Sequence, residues 1–80
     1  MKESFYGRTA LIFGGSSGIG LEVARLIKAR GAEVIVSSRT KGDTCDEDIF
    51  LPCDVTKKEE VDATISYIVS KFGKIDILVN

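Results

Sequence analysis

Four short apolar runs alternate with two stretches in which apolar residues recur every three or four positions. Thr9-Ala10-Leu11-Ile12-Phe13 is continuous, not alternating, and stops at a glycine cluster, which predicts a strand buried on both faces. The next stretch has apolar residues at Ile19, Val23, Leu26 and Ile27, the spacing of a helix with one stripe against a sheet. Gly31 closes that helix as the residue just past its end. Val34-Ile35-Val36 predicts a second buried strand that runs out at Ser37-Ser38-Arg39. From Thr40 to Asp48 the chain is polar and acidic, with a Gly42-Asp43 turn signal and no apolar period, so a loop is expected. Ile49-Phe50-Leu51 reads as a third strand, closed by Pro52 and Cys53. Thr56 with Glu59 three residues on is a capping box, opening a helix with Val61, Ile65, Ile68, Val69 and Phe72 on one face. Gly73 stops it, and Ile75-Asp76-Ile77-Leu78-Val79 is a fourth strand.

The order is β-α-β-loop-β-α-β, which implies an α/β fold on a parallel sheet with right-handed crossovers. Eighty residues make at most one small domain, and such a chain buries only about 60–65% of its unfolded surface. With 44% hydrophobic and 29% charged residues, the composition is that of a globular protein in water. A net charge of −1 gives no electrostatic case for nucleic acid or an anionic membrane. No run reaches the ~20 apolar residues of a membrane span, and Met1–Gly7 lacks the apolar core of a signal peptide. A reducing cytoplasm is the expected location. Histidine is absent, and Cys45 and Cys53 are eight apart, so no metal site is expected. Cys53 reads as a small buried hydrophobe and Cys45 as an exposed loop thiol.

Gly14-Gly15-Ser16-Ser17-Gly18-Ile19-Gly20 lies between a buried strand and an amphipathic helix. A helix start carries unpaired N–H groups and the positive end of the backbone dipole. Glycines let a diphosphate come close to such a start without meeting side chains. No lysine follows the glycines, so this is not a P-loop, and the spacing differs from G-x-G-x-x-G. The simplest alternative is a turn that only packs helix on strand. The placement favours phosphate binding.

These seven residues resemble the cofactor loop of the short-chain dehydrogenase/reductase family. Asp54-Val55 resembles that family's adenine-binding aspartate. Phe72-Gly73-Lys74-Ile75-Asp76-Ile77-Leu78-Val79-Asn80 resembles the run into its Asn-Asn-Ala-Gly motif, stopped after the first asparagine. The resemblance implies a Rossmann-like doubly wound parallel sheet of strand order 3-2-1-4. Residues 1–80 are then the truncated first part of a single NAD(P)-binding domain. It further implies hydride transfer between a nicotinamide cofactor and a carbonyl or alcohol substrate, in a homo-oligomeric parent. Phe13 departs from the family's usual threonine, and the short Thr40–Asp48 segment stands where most members have a helix. That shortness is weakly similar to 3-oxoacyl-carrier-protein reductases.

NAD-binding proteins place an acid at the end of the second strand. Here Ser38 and Arg39 stand there instead, and a guanidinium suits a 2′-phosphate. NADP is therefore expected over NAD, with Ser17 a possible further hydroxyl donor. Arg39 could also be a solvated arginine that stacks on adenine, and Asp43 would restore an NAD reading only if the loop folds back. Asp54 could accept from the adenine amine or simply close an Asx-turn before Thr56. The family's serine, tyrosine and lysine would lie beyond Asn80, so no catalytic residue is assigned. Tyr67-x-x-x-Lys71 has the catalytic spacing, but its helix follows the third strand and not the fifth. A dinucleotide sensor without catalysis on the same fold is the rival reading.

Overall fold

The computed structural model describes residues 4–80, so the start of the Met1–Gly7 segment lies outside the described residues. The elements are β1 (Thr9–Phe13), α1 (Gly18–Ala29), β2 (Glu33–Ser38), β3 (Ile49–Pro52), α2 (Lys58–Phe72) and β4 (Ile77–Val79). The strands form one parallel sheet in the order β3-β2-β1-β4, as the resemblance implied. β1 is central: Ile12 pairs with Val36 on one side and Val79 on the other.

Alternation along the strands sends side chains to two faces, and each face has its own helix. Ala10, Ile12, Val34 and Val36 pack with Ala24 and Ile27 of α1. Leu11, Phe13 and Ile35 pack with Ile68 of α2 and with Cys53, which is buried as expected. The fold is thus doubly wound, with β1 buried throughout its length. β4 is the less covered strand, and its Leu78 is half exposed.

The buried stripe of α1 is only half the expected one: Val23 and Ile27 do pack against the sheet. Ile19 is 85% exposed and Leu26 62%, whereas Leu21, Ala24 and Ile27 are buried. Gly20 explains the rotation. A Cβ on it would collide with the Gly14 carbonyl oxygen, so this face lies against the loop that ends β1. Ala24 and Ile27 follow one and two turns later on the same side. On α2, Ile68 is buried while Val61, Ile65 and Phe72 are partly so, but Val69 is exposed and Thr64 is buried instead.

The expected capping box of Thr56 and Glu59 does not form. The N-cap is Lys57, without a side-chain bond. The Thr56 hydroxyl instead donates to Asp54 Oδ1 at 2.6 Å, and the Asp54 amide donates to Glu60 Oε1 at 2.8 Å. The two helix stops are as expected: Gly31 and Gly73 both have left-handed backbone. Cys45 is half-buried, not an exposed thiol.

The amino ends of the strands are tied by Asp76. Its Oδ2 accepts the Thr9 amide at 2.8 Å, and its own amide donates to the Thr9 carbonyl at 2.8 Å. Lys74 Nζ lies 3.1 Å from the same oxygen and donates to the Gly7 carbonyl, while Arg8 stands 3.7 Å from Oδ1. The Thr9 amide, then Lys74 and Arg8, hold the Asp76 carboxyl below its ordinary range. This turn is why β4 starts at Ile77 and not at Ile75. Between β2 and β3, residues 40–48 form no helix or strand and cross the sheet beside α1 as an irregular strap. β3 is an edge strand, and Pro52 occupies its last position, where a missing N–H is tolerated.

Candidate functional site

All the elements of interest end at one edge, because parallel strands bring their carboxyl ends together. β1 gives way to Gly14, whose amide donates to the Ser37 carbonyl of β2 at 2.8 Å. Ser37 is fully buried and its hydroxyl donates to the Leu51 carbonyl of β3 at 2.8 Å. This one residue therefore fixes the ends of three adjacent strands. Sequence reasoning treated it only as the end of an apolar run.

The loop Gly14-Gly15-Ser16-Ser17-Gly18-Ile19-Gly20 then leads into α1. Its geometry fits a pyrophosphate. Ser17 is the N-cap but its side chain makes no cap bond, and the first turn of α1 has no acidic residue. Free N–H groups and the dipole end are thus left for an outside anion. At Gly14 and Gly18, both with left-handed backbone, nothing lies within 4 Å of where a Cβ would stand. Gly20 serves the opposite need, close contact with the Gly14 carbonyl. Gly15 is buried over Ile12 and Val36, and Ile19 is exposed at the helix start.

Gly14, Ser38, Arg39, Cys53, Asp54, Val55 and Thr56 line one cleft of about 200 Å³. The strand ends thus bring together three separate stretches singled out from the sequence. Arg39 is exposed, with no carboxylate within 4 Å among the described residues. Asp54 closes an Asx-turn: its Oδ1 accepts the Thr56 amide at 3.0 Å and the Thr56 hydroxyl. Those Thr56 bonds, with Arg39 adding a smaller pull, hold its carboxyl below the ordinary range. Oδ2 receives no hydrogen bond among the described residues. The Asx-turn and an adenine contact are therefore compatible, each using a different oxygen. Glu60, which pins the Asp54 amide, was missed because a charged residue in a helix's first turn reads most simply as solvated.

Ser38 is committed more than expected. Its hydroxyl donates to the Thr40 carbonyl and also bonds the Ser16 hydroxyl at 2.9 Å. A hydroxyl has one hydrogen, so both bonds coexist only if Ser16 supplies the shared one. Ser17, by contrast, is exposed. Asn80 follows Val79, the partner of Ile12, at the same sheet edge but outside the cleft lining. Tyr67 and Lys71 lie elsewhere, on the exposed side of α2, with the Lys71 ammonium 5.9 Å from the Tyr67 ring centre.

Among the described residues no group of three or more His, Cys, Asp or Glu could hold a metal ion. No helix of the described residues is long and apolar enough to cross a membrane.

Comparison with known proteins gives one family. The short chain dehydrogenase family model matches residues 8–80. An uncharacterized oxidoreductase of Staphylococcus haemolyticus is 38% identical over 92% of this chain and 36% of its own length. The mitochondrial borneol dehydrogenase of Lavandula x intermedia is 38% identical over 92% of this chain and 30% of its own. The 3-hydroxyacyl-CoA dehydrogenase type-2 of Rattus norvegicus is 34% identical over 98% and 33%. The chain spans about a third of the length of these curated relatives.

Proposed function

The chain belongs to the short chain dehydrogenase family, and from that premise we infer that the protein carrying it transfers hydride between NADP(H) and a carbonyl or alcohol substrate. The main support is that Gly14, where the glycine loop begins, lines one cleft with Arg39 and Asp54, and that the loop leads into a helix start without a side-chain cap. When bound, the nicotinamide group supplies or takes up the hydride. The residues of this chain hold the other end of the cofactor. The loop Gly14 to Gly20, Ile19 included, takes the pyrophosphate on amides past Gly14, whose own N–H is held by the Ser37 carbonyl, and Asp54 Oδ2 with Val55 borders the adenine. Arg39 takes the 2′-phosphate, with Ser17 the available hydroxyl. Ser38 shapes that corner through its bonds to Thr40 and Ser16. Asn80 continues the edge beside the loop. The relatives' names carry borneol, L-fucose and a 3-hydroxyacyl-CoA, so they converge on oxidoreduction and not on one substrate.

One observation favours NAD as a second reading: the strap does fold back, with the Asp43 amide on the Ser16 carbonyl. Asp43 itself, however, borders a different cleft, shared with Arg25, Lys28 and Asp48 on the α1 side. Arg39→Ala in the intact protein separates the two. Loss of a charge-assisted contact costs about 1.5–3 kcal/mol, so NADPH should bind roughly 10- to 150-fold more weakly while NADH is little changed. Equal losses would reduce Arg39 to stacking on adenine. A wild-type protein that binds neither dinucleotide would end the reading altogether.

A further inference from the structure

The strap from Thr40 to Asp48 has no regular structure, yet it is held at both ends. At the lower end Lys28 of α1 lies 3.1 Å from the Asp48 carboxylate, which is 3% exposed, and donates to the Glu47 carbonyl. At the upper end the Asp43 amide donates to the Ser16 carbonyl at 2.8 Å, in the middle of the glycine loop. Ser16 is buried as a result, and so is Thr44, the next strap residue.

Gly42 permits this contact. Its φ is +52°, and a Cβ there would stand 2.8 Å from the Ser16 carbonyl oxygen and 3.1 Å from Ser16 Cβ. Both the backbone conformation and the close approach exclude a side chain. The approach has a consequence for the loop. A trans peptide points its C=O and N–H in opposite directions. Holding the Ser16 carbonyl toward Asp43 therefore aims the Ser17 N–H away from the strap, where no backbone acceptor takes it among the described residues.

We propose that the Gly42–Asp43 turn is a positioning element for the dinucleotide loop, fixing the Ser16–Ser17 peptide plane and with it the affinity for the pyrophosphate that NADP and NAD share. The proposal rests on the dinucleotide reading above. It differs from the Arg39 contact in kind, because the strap acts on the common part of both cofactors and discriminates neither.

The test is equilibrium titration of the intact protein with NADPH and NADH, well below each variant's melting midpoint. Gly42→Ala should raise both dissociation constants about tenfold, with their ratio kept. Gly42→Asn tolerates the left-handed backbone but keeps the collision with Ser16, so it should lose as much. Recovery of wild-type affinity in Gly42→Asn would overturn the proposal, since the turn and not its hold on Ser16 would then matter. Asp46→Ala, on an exposed strap residue, should change nothing, and a loss equal to that of Gly42→Ala would overturn it too. Amide exchange gives a second readout that needs no variant: NADPH must slow exchange at Ser17 and Asp43 in the wild-type protein. Absence of that protection overturns the proposal even if the Gly42 variants fail to fold. Wild-type protein that binds neither dinucleotide refutes the functional reading; binding that Gly42→Ala leaves intact refutes the strap's role alone.

Discussion

At the amino ends of the strands, Asp76 collects the Thr9 amide, Lys74 and Arg8 into one knot, and Lys74 reaches on to Gly7. At the carboxyl ends, α1 starts without a side-chain cap and Asp54 keeps one oxygen free of hydrogen bonds among the described residues. Both ends belong to the same four strands, so the difference is not one of sheet stability. One end satisfies its polar groups internally and the other leaves them for something outside. Cleft size does not single out the open end. Two clefts of about 380 and 370 Å³ flank the knotted end, while the one that gathers Gly14, Arg39 and Asp54 is about 200 Å³. Unmet hydrogen-bonding capacity, and not volume, marks the end where a ligand belongs.

The comparison breaks if changes at the two ends have the same consequences. Gly20→Ala should have the largest effect. Its Cβ drives against the Gly14 carbonyl, opening the cradle, and dinucleotide affinity should fall about 100-fold, roughly 2.7 kcal/mol. The same collision is overpacking, so the melting midpoint should fall as well. A stable Gly20→Ala protein with wild-type affinity would show that close packing at this position does not shape the site.

Asp76→Asn comes next and should do the reverse, lowering the melting midpoint while leaving dinucleotide affinity alone. Its pH dependence sharpens the point. The folded Asp76 carboxyl is held below the unfolded value of about 3.9. Its contribution is therefore full above about pH 4 and is lost as pH falls through the folded value. The melting difference between wild type and Asp76→Asn should be constant from pH 7 to 5 and shrink below pH 4. A difference that persisted undiminished in strong acid would mean that the charge is not what ties the strands. Lys58→Ala, removing an exposed pair with Asp62 on α2, belongs to neither end and should move neither affinity nor melting measurably.

The sheet was largely legible because continuous apolar runs have few other uses in a chain this short. β1, β2 and β3 begin and end within a residue or two of their expected limits. Strand order came from resemblance, since periodicity does not rank strands. The helices were legible as helices but not in their facing. On α1 the stripe of large residues pointed correctly to Val23 and Ile27 but wrongly to Ile19 and Leu26, and the contact face also uses Gly20 and Ala24, whose small size is the reason they fit. The strap's return to Ser16 could not be foreseen, because an irregular segment has no period and its partner is 27 residues away. Glu60 and Glu59 differ by one position, and only the direction of the chain leaving Asp54 decides between them.

Pro52 has an effect on how the sheet can be extended. In a strand, alternate residues turn their amides to opposite sides. Cys53 directs its amide inward to the Ser38 carbonyl, so the nitrogen of Pro52 faces outward, where an arriving strand would look for a donor. The β3 side is thereby made a poor template for further pairing. β4, with no proline, offers ordinary edge chemistry. The two edges of the sheet are accordingly unequal: the β4 side is open to pairing, and association through the β3 side is discouraged by a single ring that carries no hydrogen.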